Sequence, residues 1–313
     1  MRYKKWYQAI YLIVAIAAFY YVGKKLVAFD QWDSINKNFI SESWILLVIL
    51  QLFLWFLNIG LESLRWQTLL SSFTQMRFSE SVKMVLMGFT TGSITPMKAG
   101  EPGGKILPLK KEERPSGILA SVYGSYLNSA VLFLISLIAF PLALSAGLIN
   151  IPVILNLSLP LYVFLALCTL ACSYVLIYYF FLQVKKKARN TRWSLKPGVL
   201  SNFKLKRFLQ LLSYTLLRVL VYNFQLYTWF QFFNITVLGV NFLLLSPLYF
   251  AGITLIPAMF LFDLGIRGSL GVSVFSVISD STGTILSALF FLWFFNVAIP
   301  VLWGSLLLMR RKS

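Results

Sequence analysis
The sequence predicts an all-α polytopic membrane protein, with six transmembrane helices and two opposed re-entrant hairpins in an inverted repeat. Three observations carry that prediction. The first is composition: 58% of residues are hydrophobic and 12% charged, where a soluble domain carries about 25% charged residues. The second is a series of apolar runs, several exceeding the roughly 20 residues a helix needs to cross a bilayer, separated by short basic loops. The third is a pair of apolar runs, one in each half of the chain, that break at proline, glycine and charge. No polar stretch is long enough to fold alone. Residues 1–313 therefore read as one integral membrane domain with halves of about 1–150 and 151–313.

Met1–Lys5 is short and basic, and Trp6–Ala28 is the first apolar run. It has no small-residue cleavage site and resembles an uncleaved signal anchor. The loop Lys24–Glu42 has mixed charge, and the second span, Trp44–Leu64, ends at Arg65. The stretch Ser79–Arg114 comes next. Its segment Met84–Met97 is uncharged, largely apolar and too short to cross. It breaks at Thr95-Pro96, passes Gly100, Gly103 and Gly104 between Lys98 and Lys105, and reaches the cluster Lys110–Arg114. Proline and paired glycines do not continue a helix, so backbone groups are freed here. At membrane depth such backbone is tolerated only inside protein or beside a wet cavity. The stretch reads as a re-entrant hairpin with a polar tip.

The third span runs from about Ser116 to Leu144, Gly147–Leu157 is an uncharged loop, and Leu159–Val184 is the fourth span. The loop Lys185–Arg207 holds nine basic residues and no acid. A fifth span covers about Phe208–Phe233. Phe242–Phe262 is apolar but interrupted by Pro247, Gly252 and Pro257, and Asp263–Gly268 breaks it. A short apolar stretch reaches Ile278, and the last span, Thr284–Met309, ends in Arg310-Arg311-Lys312. The positive-inside rule places the N-terminus, Arg65–Arg114, Lys185–Arg207 and the C-terminus in the cytoplasm. Six spans satisfy it only if Phe242–Ile278 enters and leaves from the outer side, as a second hairpin. Each half then reads span, span, hairpin, span, in opposite orientations. Broken segments at matching places in inverted repeats point to a transport site near the midplane.

The net charge of +18 sits mostly in short loops. There it serves orientation and anionic lipid headgroups rather than nucleic acid. Cys168 and Cys172 lie one turn apart in an apolar run and read as small packing residues. With no histidine, the usual zinc sites and histidine triads are excluded. Gly100–Ile106 lacks the first glycine and the Ser/Thr of a Walker phosphate loop, and the chain has no paired-aspartate metal motif. No cofactor, metal or catalytic residue is expected, and the chain is not expected to be an enzyme.

Ionisable groups inside apolar segments are functional candidates by default. In the first hairpin these are Glu101 and Lys105, with Lys98 nearby; in the second, Asp263 and Arg267. Each pair has i,i+4 spacing, so each is either an internal staple or a ligand site, or both. Arg218 lies eleven residues past Arg207, about 16 Å along a helix and too deep for easy snorkelling. Tyr214, Tyr222, Gln225 and Trp229 share its face, a polar seam toward protein or cavity. Asn58, Glu62 and Arg65 line one face of the second span, with Arg65 expected as an interfacial anchor.

Thr95-Pro96-x-x-Ala99-Gly100-Glu101 with Lys105, and Pro257 followed by Leu264-Gly265-Ile266-Arg267-Gly268-Ser269, resemble the transmembrane domain of lysylphosphatidylglycerol synthases. The resemblance spans essentially the whole chain. Many members have Gly-Val-Arg-Glu in the second motif; here Gly268 stands in the glutamate position and Asp263 lies upstream. The soluble aminoacyl-transferring domain is absent, so lysine transfer to lipid is not expected. The resemblance implies lipid translocation or support of a lipid-linked pathway.

The expected function is that of a lipid flippase-like transporter in a bacterial plasma membrane, moving a headgroup through a polar groove between the hairpin tips. Lys105, Arg218 and Arg267 would hold phosphate, since cationic donors make the strongest contacts to it. Glu101 and Asp263 would balance them or receive a cationic headgroup. Thr95, Pro96, Gly100, Gly103, Gly104, Pro257, Gly265 and Gly268 would shape the hairpins. Partners are membrane lipids with anionic or lipid-linked headgroups, with a second copy of the chain or a lipid-modifying enzyme also open. The alternatives are a non-transporting scaffold of a lipid-modification pathway and an intramembrane transferase.

Overall fold
The computed structural model describes residues 43–95, 98–149, 159–188, 195, 198, 202–235, 239–256 and 260–311. The first apolar run Trp6–Ala28, the hairpin prolines Pro96 and Pro257, and much of the loop Lys185–Arg207 lie outside the described residues. Every regular element among the described residues is helical.

Helix α1, Ser43–Leu70, runs past its expected end at Leu64 because nothing in Arg65–Leu70 breaks a helix. It stops at Ser71-Ser72, where the Phe73 and Thr74 N–H groups donate back to Leu70 O. Its 28 residues reach about 42 Å, well beyond a hydrocarbon core of about 30 Å. Helix α2, Phe78–Ser93, opens with the Glu80 carboxylate accepting the Arg77 N–H at 3.0 Å, which satisfies a donor in the chain entering the helix. Helix α3 is short, Glu101–Ile106, and α4 is long, Arg114–Ser145. Pro115 sits in the first turn of α4, where its missing N–H leaves no bond unmade.

Helices α5, Leu159–Ala188, and α6, Leu205–Phe232, follow. The run Phe242–Phe262 is two helices rather than one: α7, Gly239–Leu255, and α8, Phe260–Phe275. Helix α9, Thr282–Trp293, passes through a π turn, Phe294–Ala298, into α10, Ile299–Arg311. Pro300 accounts for the wide turn: it has no N–H to give, and its ring crowds the Asn296 carbonyl four residues back.

Among the described residues, four stretches of helix are long and apolar enough to cross a membrane: Trp44–Leu70, Arg114–Ser145, Leu167–Val184 and Thr282–Arg310. Gly239–Leu255 is a shorter apolar helix. The expected fifth span, now α6, is not among the four. It has 28 residues but carries Gln210, Arg218, Asn223 and Gln225.

The packing has a repeated plan. Helix α2 leans on α10, and α7 leans on α4; α3 packs on α4, and α8 on α9. Helices α1 and α6 pair along their length. They run antiparallel, because Gln51 meets Thr228 near the start of α1 while Arg65 meets Thr215 near its end. One apolar core gathers Trp229, Phe230, Phe242, Tyr249, Phe275 and Leu289 from α6 to α9. Another gathers Trp66, Met84, Ile106, Tyr123, Phe181 and Leu211 from α1 to α6. Along α1, Leu47 belongs to the first core and Trp66 to the second; along α6, Leu226 belongs to the first and Leu211 to the second. The polar residues Asn58, Glu62 and Arg218 fall between these positions.

Candidate functional site
Hydroxyl groups repair the backbone where α2 ends. Thr91 Oγ1 donates to Gly100 O at 2.9 Å, and Thr95 Oγ1 accepts the Gly100 N–H at 2.7 Å. These bonds satisfy groups that the broken helix leaves unpaired, and they hold α3 against α2. Glycine permits the approach: a Cβ on Gly104 would run into Thr91 Oγ1 and Met87 O, and one on Gly100 into Thr91 O. Gly103, expected to share that role, meets nothing within 4 Å of where its Cβ would be. Gly265 and Gly268 are buried on α8.

The folded-back arm carries charge to the interior, where Glu62 of α1 is the hub. Its carboxylate accepts Lys105 Nζ of α3 at 2.8 Å and Arg65 Nη2 at 2.6 Å, and it also pairs with Arg218 Nη1 of α6. Lys105 Nζ is shared with Glu101 Oε1 at 2.7 Å and lies 5.5 Å from the Trp66 ring centroid. Arg65 Nη1 donates to Gly124 O at 3.1 Å. From Arg218 a row of amides continues: Arg218 Nε donates to Asn58 Oδ1 at 2.9 Å, and Asn58 Nδ2 to Asn296 Oδ1 at 3.1 Å. Asn296 Nδ2 then donates to Gln225 Oε1 at 3.1 Å. Asn296 lies in the π turn beside Pro300. On α8, Arg267 Nε and Asp263 Oδ2 pair at 2.6 Å. Both i,i+4 staples expected from spacing are therefore formed.

A cavity of about 480 Å³ opens over this cluster. Both broken segments reach it, with Lys98, Glu101 and Pro102 from one and Thr254, Ile256, Asp263 and Arg267 from the other. Helix α1 contributes Glu62 and Arg65, α6 contributes Arg218, Tyr222 and Asn223, and α4 contributes Ser125, Asn128 and Ser129. Glu101, Arg218, Asp263 and Arg267 thus line one cavity. Lys105 does not line it: its ammonium is 3% exposed and is taken up by two carboxylates behind the wall. Arg65 corrects a second expectation. Because α1 continues to Leu70, Arg65 is carried inside, 4% exposed and paired, instead of anchoring at an interface.

The sequence reading put Glu62 on the right face but not at the centre. Its signal was present, since Glu62 is the single acid in the 28 residues of α1 and an isolated buried carboxylate requires partners. Asn296 and the serines of α4 carry no charge and gave no comparable signal.

Fold and site together define a multi-pass α-helical membrane protein with a charged internal cavity. The family model for the lysylphosphatidylglycerol synthase TM region matches residues 8–304, and the chain belongs to that family, a membrane domain associated with lipid modification or flipping. No curated protein and no solved structure matches it.

Proposed function
We propose that this protein is a non-enzymatic, flippase-like transporter that moves a phosphate-bearing lipid headgroup between leaflets while the tails stay in the bilayer. The observation that carries the reading is the cavity shared by both broken segments and lined by Glu101, Arg218, Asp263 and Arg267. Arg218 and Arg267 hold the phosphate by charge-assisted hydrogen bonds, with Lys98 beside them. Lys105 positions Glu101 and Glu62 rather than touching the headgroup. In this reading α2–α3 and α7–α8 are re-entrant hairpins opening from opposite sides. The six spans are the first apolar run, α1, α4, α5, α6 and the continuous α9–α10. Two features favour the inverted repeat: the second spans of the halves, α1 and α6, run antiparallel, and each hairpin leans on the last span of the other half.

The reading is tested in proteoliposomes holding acyl-labelled phospholipids, with a membrane-impermeant quencher added outside. A transporter raises the quenched fraction from about half toward all of the label; purified protein that leaves it at half refutes transport and favours a scaffold role. Orientation has its own test. With Cys168 and Cys172 replaced, single cysteines at Asn150 and Asn241 should label from outside a bacterial cell, whereas one at Lys196 should not. External labelling at Lys196 would invert the proposed topology, in which both termini lie in the cytoplasm.

A further inference from the structure
Aligned by their buried positions, the two halves correspond helix by helix and differ at a few decisive places. Gln51, Glu62 and Trp66 of α1 fall on Thr215, Leu226 and Phe230 of α6, all buried. Met84, Val85 and Gly88 of α2 fall on Leu245, Ser246 and Tyr249 of α7. The same register puts Thr91 and Thr95 on Gly252 and Ile256. The staples Glu101–Lys105 and Asp263–Arg267 also correspond, with Ile266 in the place of Gly104. Lys105 crosses to α1 and meets Glu62 at 2.8 Å, whereas the second half offers Leu226 there and no acid. Gly88 makes room for that crossing, since a Cβ on it would lie 2.6 Å from Lys105 Cγ. Tyr249 stands in the matching position.

These differences decide how firmly each arm is held. Helix α3 is stitched to α2 by the Thr91 and Thr95 hydroxyls, lies against it through Gly100 and Gly104, and is tied to α1 by Lys105. Helix α1 itself packs directly on α2. In the second half Gly252 and Ile256 carry no hydroxyl. Helix α6 meets α7 through rings, Tyr227 and Phe230 on Phe242 and Tyr222 on Phe250, and through one hydrogen bond from Ser246 to Asn223. Helix α8 touches its neighbours through apolar contacts, Leu270 at Gly252 of α7 and Gly271 at Leu289 of α9. Among the described residues no ion pair joins α8 to another helix. Displacing α3 would pull Lys105 off Glu62 and strand buried charge. Displacing α8 breaks no ion pair, because Asp263 and Arg267 both ride on it.

We infer that the two arms divide the work: α3 is a fixed wall, and α8, carrying Arg267, is the arm that moves as a headgroup crosses. This rests on the transport reading above and adds to it which element moves. Two cysteine pairs test it in the full chain with Cys168 and Cys172 replaced. Ile106→Cys/Gly117→Cys joins α3 to α4, where the two Cβ positions lie 3.8 Å apart, the usual disulfide separation. Gly271→Cys/Leu289→Cys joins α8 to α9, where Leu289 Cγ lies 3.3 Å from the Cβ position of Gly271. Translocation is measured in vesicles of phosphatidylglycerol and phosphatidylethanolamine, both acyl-labelled. Oxidising the α8 pair should slow it at least tenfold, with recovery on reduction, while oxidising the α3 pair should leave at least half the rate. Comparing each protein with its own reduced form removes any damage done by the substitutions. Arrest by the α3 disulfide, or full rate with the α8 disulfide formed, overturns the inference and leaves transport standing. If the parent chain moves no lipid, the transport reading fails, and spin-label distances still decide which arm moves. Labels on cysteines at Gly103 and Ser273, each paired with one at Leu137 of α4, sit at exposed positions. Gly103 should give one narrow distance and Ser273 two; a spread at Gly103, or one narrow distance for both, overturns the inference.

Discussion
Glu62→Gln should melt far below the parent chain in detergent, because one carboxylate holds three cations together. Arg65, Lys105 and Arg218 converge on it from three helices, and all four side chains are less than a tenth exposed. Removing one partner of a buried pair leaves an uncompensated charge, at a cost of about 3–5 kcal/mol. Lys105 keeps Glu101, and Arg218 keeps Asn58, so the loss falls short of three broken pairs. Arg65 keeps only neutral partners, Gly124 O and Thr215 Oγ1. Adding Arg218→Gln should raise the melting point again, since the second change removes one of the stranded cations. Asn58→Leu, which breaks hydrogen bonds without stranding a carboxylate, should cost less than Glu62→Gln. A Glu62→Gln chain that melts with the parent would show that the hub carries little stability.

The two broken segments were legible because membrane helices obey strict rules. Proline explains both breaks, at Thr95-Pro96 and before Pro257: the structure ends α2 at Ser93 and α7 at Leu255, whereas Asp263–Gly268, expected to break the run, lies inside α8. The i,i+4 pairs Glu101–Lys105 and Asp263–Arg267 followed from helix geometry alone. What spacing could not give was convergence between segments. Glu62 and Lys105 are 43 residues apart, and Asn58 and Asn296 are 238 apart. Only the packing of α1 against α2, which carries α3, and against the π turn brings these groups together. Arg65 was misjudged for a local reason: the end of a hydrophobic run is not the end of a helix, and α1 runs on to Leu70. Lys105 was misjudged for a tertiary one, since nothing in its own segment announces a second carboxylate waiting on α1.

Arg267→Gln should abolish lipid movement if the guanidinium binds phosphate, and the same change distinguishes a clamp from a staple. Arg267 commits its Nε to Asp263 and still lines the cavity, so it is placed to serve both roles. If pairing were its whole purpose, removing it would strand a largely buried carboxylate at a cost of several kcal/mol. Asp263→Asn in the same chain should then restore the fold, and transport would return with it. If phosphate is the target, the double variant folds but stays inactive, because its charge-assisted donor is gone. Arg267→Lys divides the readings again. Lysine keeps the charge but has no planar fork, so it can satisfy Asp263 while losing bidentate contact with a phosphate. The clamp therefore predicts a stable Arg267→Lys protein with transport reduced at least tenfold; the staple predicts near-parental transport. Translocation rates and melting points measured on these three variants decide between them. Full transport by a well-folded Arg267→Gln chain would remove this arginine from the binding site.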